Sequence, residues 1–199
     1  MKMYLIIISV VIVIFILIQL YITMSTNKTE TQAYTVIKVE KDFEIRHYPI
    51  ATLAMIHSKA STYRELGSTG FRTLAGYIFG GNEAKKQIPM TSPVHMTMAD
   101  SNSSMAFVLP KEYNETNLPK PNDSSISFVK SVPEYVAVIR FGGFASTESI
   151  HQHQILLEQS LKAKGLTHDG NFRFLGYNPP YQLVGRRNEV IVAINWENE

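Results

Sequence analysis

The sequence has 199 residues, no cysteine and a small formal net charge of +2. Disulfide bonds, thiolate metal sites and a cysteine nucleophile are therefore excluded. Basic residues form no run longer than the pairs Lys85-Lys86 and Arg186-Arg187, so the charge pattern does not suggest a nucleic-acid-binding surface.

The first 24 residues differ in kind from the rest. Residues 3–24 contain no charged side chain, and residues 5–20 are almost wholly Leu, Ile, Val and Phe. About 20 such residues in a helix cross a hydrocarbon layer of ~30 Å. A cleavable signal peptide is the alternative, but its apolar part is usually only about 7 to 15 residues long. We therefore predict an uncleaved transmembrane signal anchor over residues 1–24.

The rest of the chain is predicted to lie on one side of the membrane. Lys2 and the amino terminus precede the anchor and Lys28 follows it, so the positive-inside rule slightly favours a cytoplasmic amino terminus and an extracytoplasmic domain. Residues 25–33 are polar and predict a linker. Residues 34–199 are numerous enough for one domain with its own core.

The first half of this domain predicts three strands, one helix, a strand broken by prolines and a final strand. In chain order these elements cover residues 34–39, 43–46, 50–57, 62–79, 86–98 and 104–109. The strands show period-two alternation or β-branched runs, whereas the helix shows a period near 3.6. Pro89 and Pro93 interrupt the broken strand because proline has no N–H for a central ladder.

The second half repeats this order after a polar, proline-rich linker over residues 111–124. Its predicted elements cover residues 126–130, 134–141, 146–164, 171–177 and 189–195. Three pairs of landmarks are separated by 84 to 86 residues, and they are Pro49 and Pro133, Ala60 and Ala145, and Pro93 and Pro179. We interpret this spacing as a duplication with repeats over about 34–110 and 125–196. By the third pair, residues 86–98 and 177–185 would be the same element.

The duplication predicts the architecture. Two units that each have a half-covered sheet and one helix can bury each other by joining their sheets. We therefore expect an α+β fold, in which a duplicated β-α-β-β unit forms a distorted, mainly antiparallel eight-stranded barrel with two flanking helices. The N-terminal transmembrane helix precedes it.

Candidate chemical residues are few. No serine-hydrolase, zinc-protease, P-loop or dinucleotide-binding motif occurs in the sequence. His47 lies at a strand end, where it can be an ordinary surface histidine or a neutral imidazole near a metal. His95 is flanked by methionines and is best explained as a strand histidine beside the core.

Two further groups each have two interpretations. Arg186 and Arg187 follow a glycine in a turn, where they can be solvated or can bind a ligand carboxylate. The apolar face of the first domain helix can be core or a ligand wall, and it carries Phe71, Leu74, Ala75 and Ile78.

Six short motifs in the soluble part resemble those of the SOUL haem-binding family. They are FEIRHY at 43–48, GGNE at 80–83, MTSPV at 90–94, FGGF at 141–144, GYNPP at 176–180 and GRRNE at 185–189. Each is weak alone, but their order and spacing together make the resemblance specific. The fold known for this family, a duplicated unit forming a distorted barrel with two helices, agrees with the repeat.

The resemblance implies that haem or a related tetrapyrrole binds at a shallow apolar site between the first domain helix and neighbouring loops. Matched onto this sequence, the site would comprise Phe71, Leu74, Ala75, Ile78, Tyr177, Pro179, Arg186 and Arg187. Part of the family has a proposed iron ligand where this sequence has His47, so the resemblance also makes His47 the candidate metal ligand. An anchor before the domain is a departure from the soluble relatives.

Together these features lead us to expect a membrane-anchored binding protein, not an enzyme, that stores, buffers or transfers haem. Its expected partners are a tetrapyrrole and, through the N-terminal helix, a membrane, with no nucleic acid. One alternative is a module for another amphipathic organic ligand, and a second is a haem-dependent enzyme.

Overall fold

The computed structural model describes residues 2–99, 102–114 and 116–196. Within these ranges the helices are α1 (Lys2–Asn27), α2 (Tyr63–Ile78) and α3 (Thr147–Ala163). The strands of the same ranges are β1 (Thr35–Val39), β2 (Glu44–Tyr48), β3 (Thr52–Ser58), β4 (Val94–Thr97), β5 (Ser103–Val108), β6 (Ser127–Lys130), β7 (Glu134–Phe141), β8 (Arg173–Gly176) and β9 (Asn188–Ala193).

These strands form one curled, half-barrel sheet in the order β1-β2-β7-β9-β8-β4-β5-β3-β6, with every pair antiparallel. The predicted α+β fold is confirmed. The predicted strand number of eight becomes nine among the described residues, because β1 adds to the edge of β2.

The sheet has the symmetry of a duplicated unit. Outward from the central β8–β4 pair, β9 lies opposite β5, β7 opposite β3, and β2 opposite β6. The first strands of the two repeats, β2 and β6, are therefore exchanged, so that each lies beside a strand of the other repeat. This exchange joins the repeats into one sheet.

The equivalence of Pro93 and Pro179 is wrong. Pro93 precedes β4 whereas Pro179 follows β8, and these two strands are the symmetry mates. The total spacing is preserved because a long connection before β4 in the first repeat is balanced by a long connection after β8 in the second. The loop over residues 177–187 therefore corresponds to the short link between β4 and β5.

Both domain helices cover the same face of the sheet. α2 packs on β3 and β5, and α3 packs on β7 and β9. Thr62 begins α2 by accepting a hydrogen bond from the Glu65 N–H, and Ser146 begins α3 in a capping box. Gly70 allows α2 to approach closely, since a Cβ there would lie 3.1 Å from Cδ1 of Ile56. The main hydrophobic core fills the space between the helices and this face.

Among the described residues, α1 is the one helix long and apolar enough to cross a membrane. Its length and composition suit a membrane anchor or a signal sequence. No side chain of α1 is fully buried, and its partly buried positions near the end are Gln19, Ile22, Thr23 and Thr26. Their spacing of i, i+3, i+4 and i+7 places them on one helix face.

The segment after α1 packs against the domain. The N–H of Gln32 donates to the carbonyl of Ser92 at 2.8 Å, and the N–H of Ser92 donates to the carbonyl of Glu30 at 2.9 Å. The side chain of Gln32 also contacts His95. Its Oε1 lies 2.7 Å from Nε2 of His95, and both side chains are buried. The direction in which the chain leaves α1 is therefore set by hydrogen bonds to β4 and the residues before it.

His95 makes the stability of the domain depend on pH. Burial, with a smaller effect of the positive charge of Arg173, lowers the pKa of His95 from 6.5 to about 3. The folded protein keeps this imidazole neutral while the unfolded chain takes up a proton below pH 6.5. We expect the free energy of unfolding to fall between pH 6.5 and 3, by up to about 1.4 kcal/mol per pH unit from this group.

Urea unfolding of the full chain in detergent, followed by circular dichroism at several pH values, measures this slope. In His95→Gln the slope should be reduced by that amount. His57→Gln is the matched control because His57 is exposed on β3. Equal slopes in His95→Gln and the unsubstituted protein would contradict the assignment.

Candidate functional site

The loop over residues 177–187 departs from the symmetry of the fold and leaves the sheet at the end of β8. Arg186 holds it in shape by donating from Nη1 to the carbonyls of Pro179 and Gln182, both at 2.7 Å. The guanidinium also lies 4.5 Å from the ring centre of Phe144. Burial lowers the pKa of Arg186 below its ordinary value. Arg186 is therefore an internal brace of this loop.

Two surfaces carry accessible side chains, one where the β7–α3 connection meets the loop and one at the end of the loop. We call Phe144, Pro179 and Arg186 the loop wall, in which the ring of Phe144 is 59% exposed. We call Tyr181, Leu183 and Val184 the loop tip, and all three are exposed, Val184 to 68%. Within the described residues, Nε of Arg186 and Oε1 of Gln182 are buried without a hydrogen-bond partner. The loop thus has exposed apolar surface, with one unpaired donor and one unpaired acceptor buried beneath it.

The start of α2 lies next to the loop wall. Burial raises the pKa of Tyr63, the first residue of α2, and the positive charge of Arg186 acts against this rise. The N–H of Tyr63 donates to Oγ1 of Thr147 at 3.3 Å, three residues beyond Phe144. α2 and the loop wall are therefore neighbours.

The predicted helix face divides into surface and core. Phe71 is 37% exposed, and its ring lies 5.3 Å from that of Phe107. Phe107 pairs with Val94 and Val94 pairs with Gly176, where the loop begins, so Phe71 lies at the same end of the sheet as the loop. The other three predicted residues of this face are buried in the main core, and they are Leu74, Ala75 and Ile78.

Tyr177 and Arg187 belong to a buried charge network at the two ends of the loop. Its centre is the fully buried carboxylate of Glu189, which Arg46 contacts with both terminal nitrogens at 2.9 and 3.2 Å. Arg187 contacts the same carboxylate at 2.7 Å, and the Tyr177 hydroxyl donates to it at 2.8 Å. The guanidinium of Arg46 lies 4.3 Å from the ring centre of Tyr34. These side chains occupy the sheet face opposite to the helices.

The network fixes the ionisation of its members. Burial alone would lower the pKa of Arg46, but the hydrogen bonds and charge of Glu189 outweigh it and raise this pKa. Burial and then the charge of Glu189 raise the pKa of Tyr177, which stays neutral and donates. A ligand carboxylate that recruited Arg187 or Tyr177 would have to compete with Glu189, since an unpaired buried charge is costly.

His47 lies at the other end of the sheet. Its ring is 4.9 Å from that of Tyr135, its neighbour on β7. The carbonyl of Tyr135 accepts from the N–H of Ile194, whereas the loop rejoins the sheet at Asn188. Six residues of a strand span about 20 Å at ~3.3 Å per residue. The backbone of His47 therefore lies about 20 Å, measured along the strands, from the point where the loop rejoins the sheet.

Residues 29–193 match the family model described as SOUL heme-binding protein. The chain belongs to the SOUL family. A mouse protein named Heme-binding protein 2 is 29% identical over 157 residues, which cover 74% of this chain and 76% of the mouse protein. A Xenopus laevis protein named Heme-binding protein 1 is 28% identical over 165 residues, which cover 78% and 86% of the two chains. The predicted family is confirmed.

Solved structures share the fold of this SOUL domain at low sequence identity. The C-terminal domain of EcmrR matches with a TM-score of 0.60 at 9% identity, over 82% of this chain and 99% of that domain. A Listeria innocua protein described as a hydrolase matches with a TM-score of 0.56 at 11% identity, over 80% and 94%. At such identity the likeness is one of architecture.

Sequence reasoning about this SOUL domain missed the partners Arg46 and Glu189. Alternation places Arg46 on the opposite face from Ile45, which is a visible signal. The pairing itself was not visible, because β2 and β9 meet only through β7. Phe144 and the loop tip were also missed, although three of the four residues between Pro180 and Gly185 are Tyr, Leu or Val.

Glu189→Gln should strongly destabilise the protein because it leaves Arg46 buried without its counter-charge. We expect a loss of about 3 to 5 kcal/mol in the free energy of unfolding, measured in urea. Glu134→Gln is the matched control, because Glu134 pairs with Arg173 at 2.7 Å where both side chains are partly exposed. That change should cost only about 0 to 1 kcal/mol. Similar losses in the two variants would show that the buried network contributes no more to the free energy of unfolding than the partly exposed ion pair.

Proposed function

We propose that this chain is a membrane-anchored protein that binds haem or a related tetrapyrrole and stores, buffers or transfers it. The observation that carries the proposal is the SOUL match over residues 29–193, with relatives that are named Heme-binding protein 1 and Heme-binding protein 2. The helix α1 is the proposed anchor. The soluble domain then lies on the extracytoplasmic side, in accordance with the weak charge bias of the flanks.

The proposed binding surface is the loop wall together with Phe71 at the edge of α2. Haem is flat and largely apolar and carries two carboxylates, so it suits an open apolar surface with a few polar groups. Phe144 and Phe71 supply aromatic area, and the positive charge of the partly buried Arg186 favours a carboxylate nearby. Leu74, Ala75 and Ile78 support this surface from the core, and the buried network of Tyr177 and Arg187 fixes both ends of the loop.

The iron has a separate candidate ligand in His47. Among the described residues, no group of three or more His, Asp or Glu side chains could hold a metal ion. Since His47 and the loop wall are about 20 Å apart along the sheet, they represent two different ways of holding haem. The experiments below distinguish them.

Hemin titration of the full chain in nanodiscs, followed in the Soret region against empty nanodiscs, tests the proposal. A saturable shift at micromolar hemin is expected. Phe144→Ala should weaken binding about tenfold, because contacts of a large apolar side chain contribute about 1.5 to 3 kcal/mol when fully made. Phe79→Ala is the matched control, since Phe79 is 64% exposed just beyond the far end of α2. It should leave the affinity unchanged.

A titration without saturation would refute haem binding, whereas an equal effect of the two phenylalanine variants would place the site elsewhere. Protoporphyrin IX without iron should bind similarly if the loop wall holds the ligand. Loss of binding on removing the iron would favour axial ligation.

His47→Ala tests the axial ligand directly. If haem lies on the loop wall, the substitution should leave both the Soret maximum and the affinity unchanged. A shifted maximum, or a loss of more than about tenfold in affinity, would assign the iron to His47. His57→Ala is the control for removing an exposed histidine from the same sheet.

A further inference from the structure

The loop tip is hydrogen-bonded to α1. The N–H of Leu183 donates to Oε1 of Gln19 at 3.0 Å, and Nε2 of Gln19 donates to the carbonyl of Tyr181 at 3.3 Å. These two bonds use both the oxygen and the nitrogen of the Gln19 amide. The side chain therefore pairs with the loop backbone as a neighbouring β-strand would. The tip is thereby held at the height of Gln19 along the helix.

That height lies within the apolar part of α1. The helix has 26 residues and is about 39 Å long at ~1.5 Å per residue. A hydrocarbon layer of ~30 Å takes up about 20 residues, so a span that begins after Lys2 ends close to Ile22. Gln19 is then about one turn inside the boundary. Raising the tip clear of the lipid would leave only residues 3–18 as the span and expose the apolar residues Leu20 to Met24 to water.

The side chains of the tip fit this position. Tyr181, Leu183 and Val184 are all exposed, and neither acid nor base lies between Tyr181 and Gly185. Tyrosine is enriched at membrane interfaces because its ring is apolar and its hydroxyl is polar. Tyr21 of α1 is also exposed, near the same height along the helix. Leucine and valine gain by leaving water for the acyl boundary.

We infer that the loop tip lies in the interfacial layer of the bilayer that holds α1, where lipid covers its exposed side chains. This inference rests on the membrane anchoring proposed above. It adds a second attachment and fixes the orientation of the domain, which a single flexible anchor would not do. It also places the loop wall, to which Pro179 and Arg186 of the same loop belong, beside the bilayer. A tetrapyrrole dissolved in the membrane could then reach the wall without crossing water.

Lipid is favoured over a second copy of the chain or another protein because of the hydrogen bonds to Gln19. A partner protein at the tip would have to enter between the domain and the membrane, where α1 already occupies one side. The partly buried face of α1, from Gln19 to Thr26, shows that the domain packs along the last two turns of this helix. A bilayer that surrounds α1 therefore also reaches the loop tip.

The absence of cysteine permits a direct test with single-cysteine variants of the full chain. Val184→Cys probes the tip, Phe79→Cys probes a similarly exposed apolar position near the far end of α2, and Leu17→Cys probes the span. Each is labelled with an environment-sensitive nitrobenzoxadiazole dye and reconstituted into phosphatidylcholine vesicles. A nitroxide on a shallow acyl-chain carbon of the lipid serves as quencher.

The label at position 184 should show a blue-shifted emission and be quenched at least half as strongly as the label at position 17. The label at position 79 should remain as in water. Quenching at position 184 no greater than at position 79, with position 17 quenched, would overturn the inference while leaving the anchor intact. No quenching at position 17 would refute the anchor itself. Neither result depends on haem, so failure of haem binding is a separate outcome.

Discussion

The carboxylate of Glu189 is the point on which the position of the loop depends. It receives Arg187 from the end of the loop, Tyr177 from its beginning and Arg46 from β2. Both ends of the loop are thus attached to one buried group, which is itself paired across β7. Because a buried ion pair contributes little net stability compared with an apolar replacement, its main effect here is geometric. The network holds residues 177–187 in one place relative to the sheet.

This geometry explains which parts of the site were predictable. The duplication follows from short-range patterns, since the alternation of strands and the starts of the two helices are local features. The Pro93–Pro179 equivalence failed because an excess of residues before β4 and after β8 cancels in the total spacing. The pairing of Arg46 with Glu189 could be predicted only with knowledge of the strand order. Packing of the two repeats sets that order, and neither segment determines it alone.

The predicted helix face shows the same limit at the level of side chains. Periodicity identifies a face that is apolar, but it does not separate residues that contact the sheet from those at the rim. Leu74 and Ile78 contact the core, while Phe71 lies at the edge and is partly accessible. The rim position depends on how α2 crosses the sheet, from Phe174 near Tyr63 to Phe128 near Tyr77. A sequence pattern contains no information on that crossing.

The sequence predicted only a polar linker over residues 25–33, but hydrogen bonds also attach this segment to the domain. Gln32 contacts buried His95, and Glu30 pairs through its backbone with Ser92. With Gln19 bound to the loop, α1 is attached to the domain both before and after its last two turns. If α1 is the anchor proposed above, this attachment transmits the orientation of the membrane to the domain, whereas a polar chain of similar length would behave as a flexible coil.

If the loop wall lies beside a membrane as proposed above, its open form favours exchange over long-term storage. A Kd of about 1 µM corresponds to a binding free energy of −8.2 kcal/mol. With an association rate constant of ~10⁶ M⁻¹s⁻¹, dissociation would take place at about 1 s⁻¹. Storage would require a slower release, which an axial bond from His47 could supply, but His47 lies at the opposite end of the sheet. Of the proposed roles, transfer between the bilayer and an acceptor therefore agrees best with the position of the loop wall.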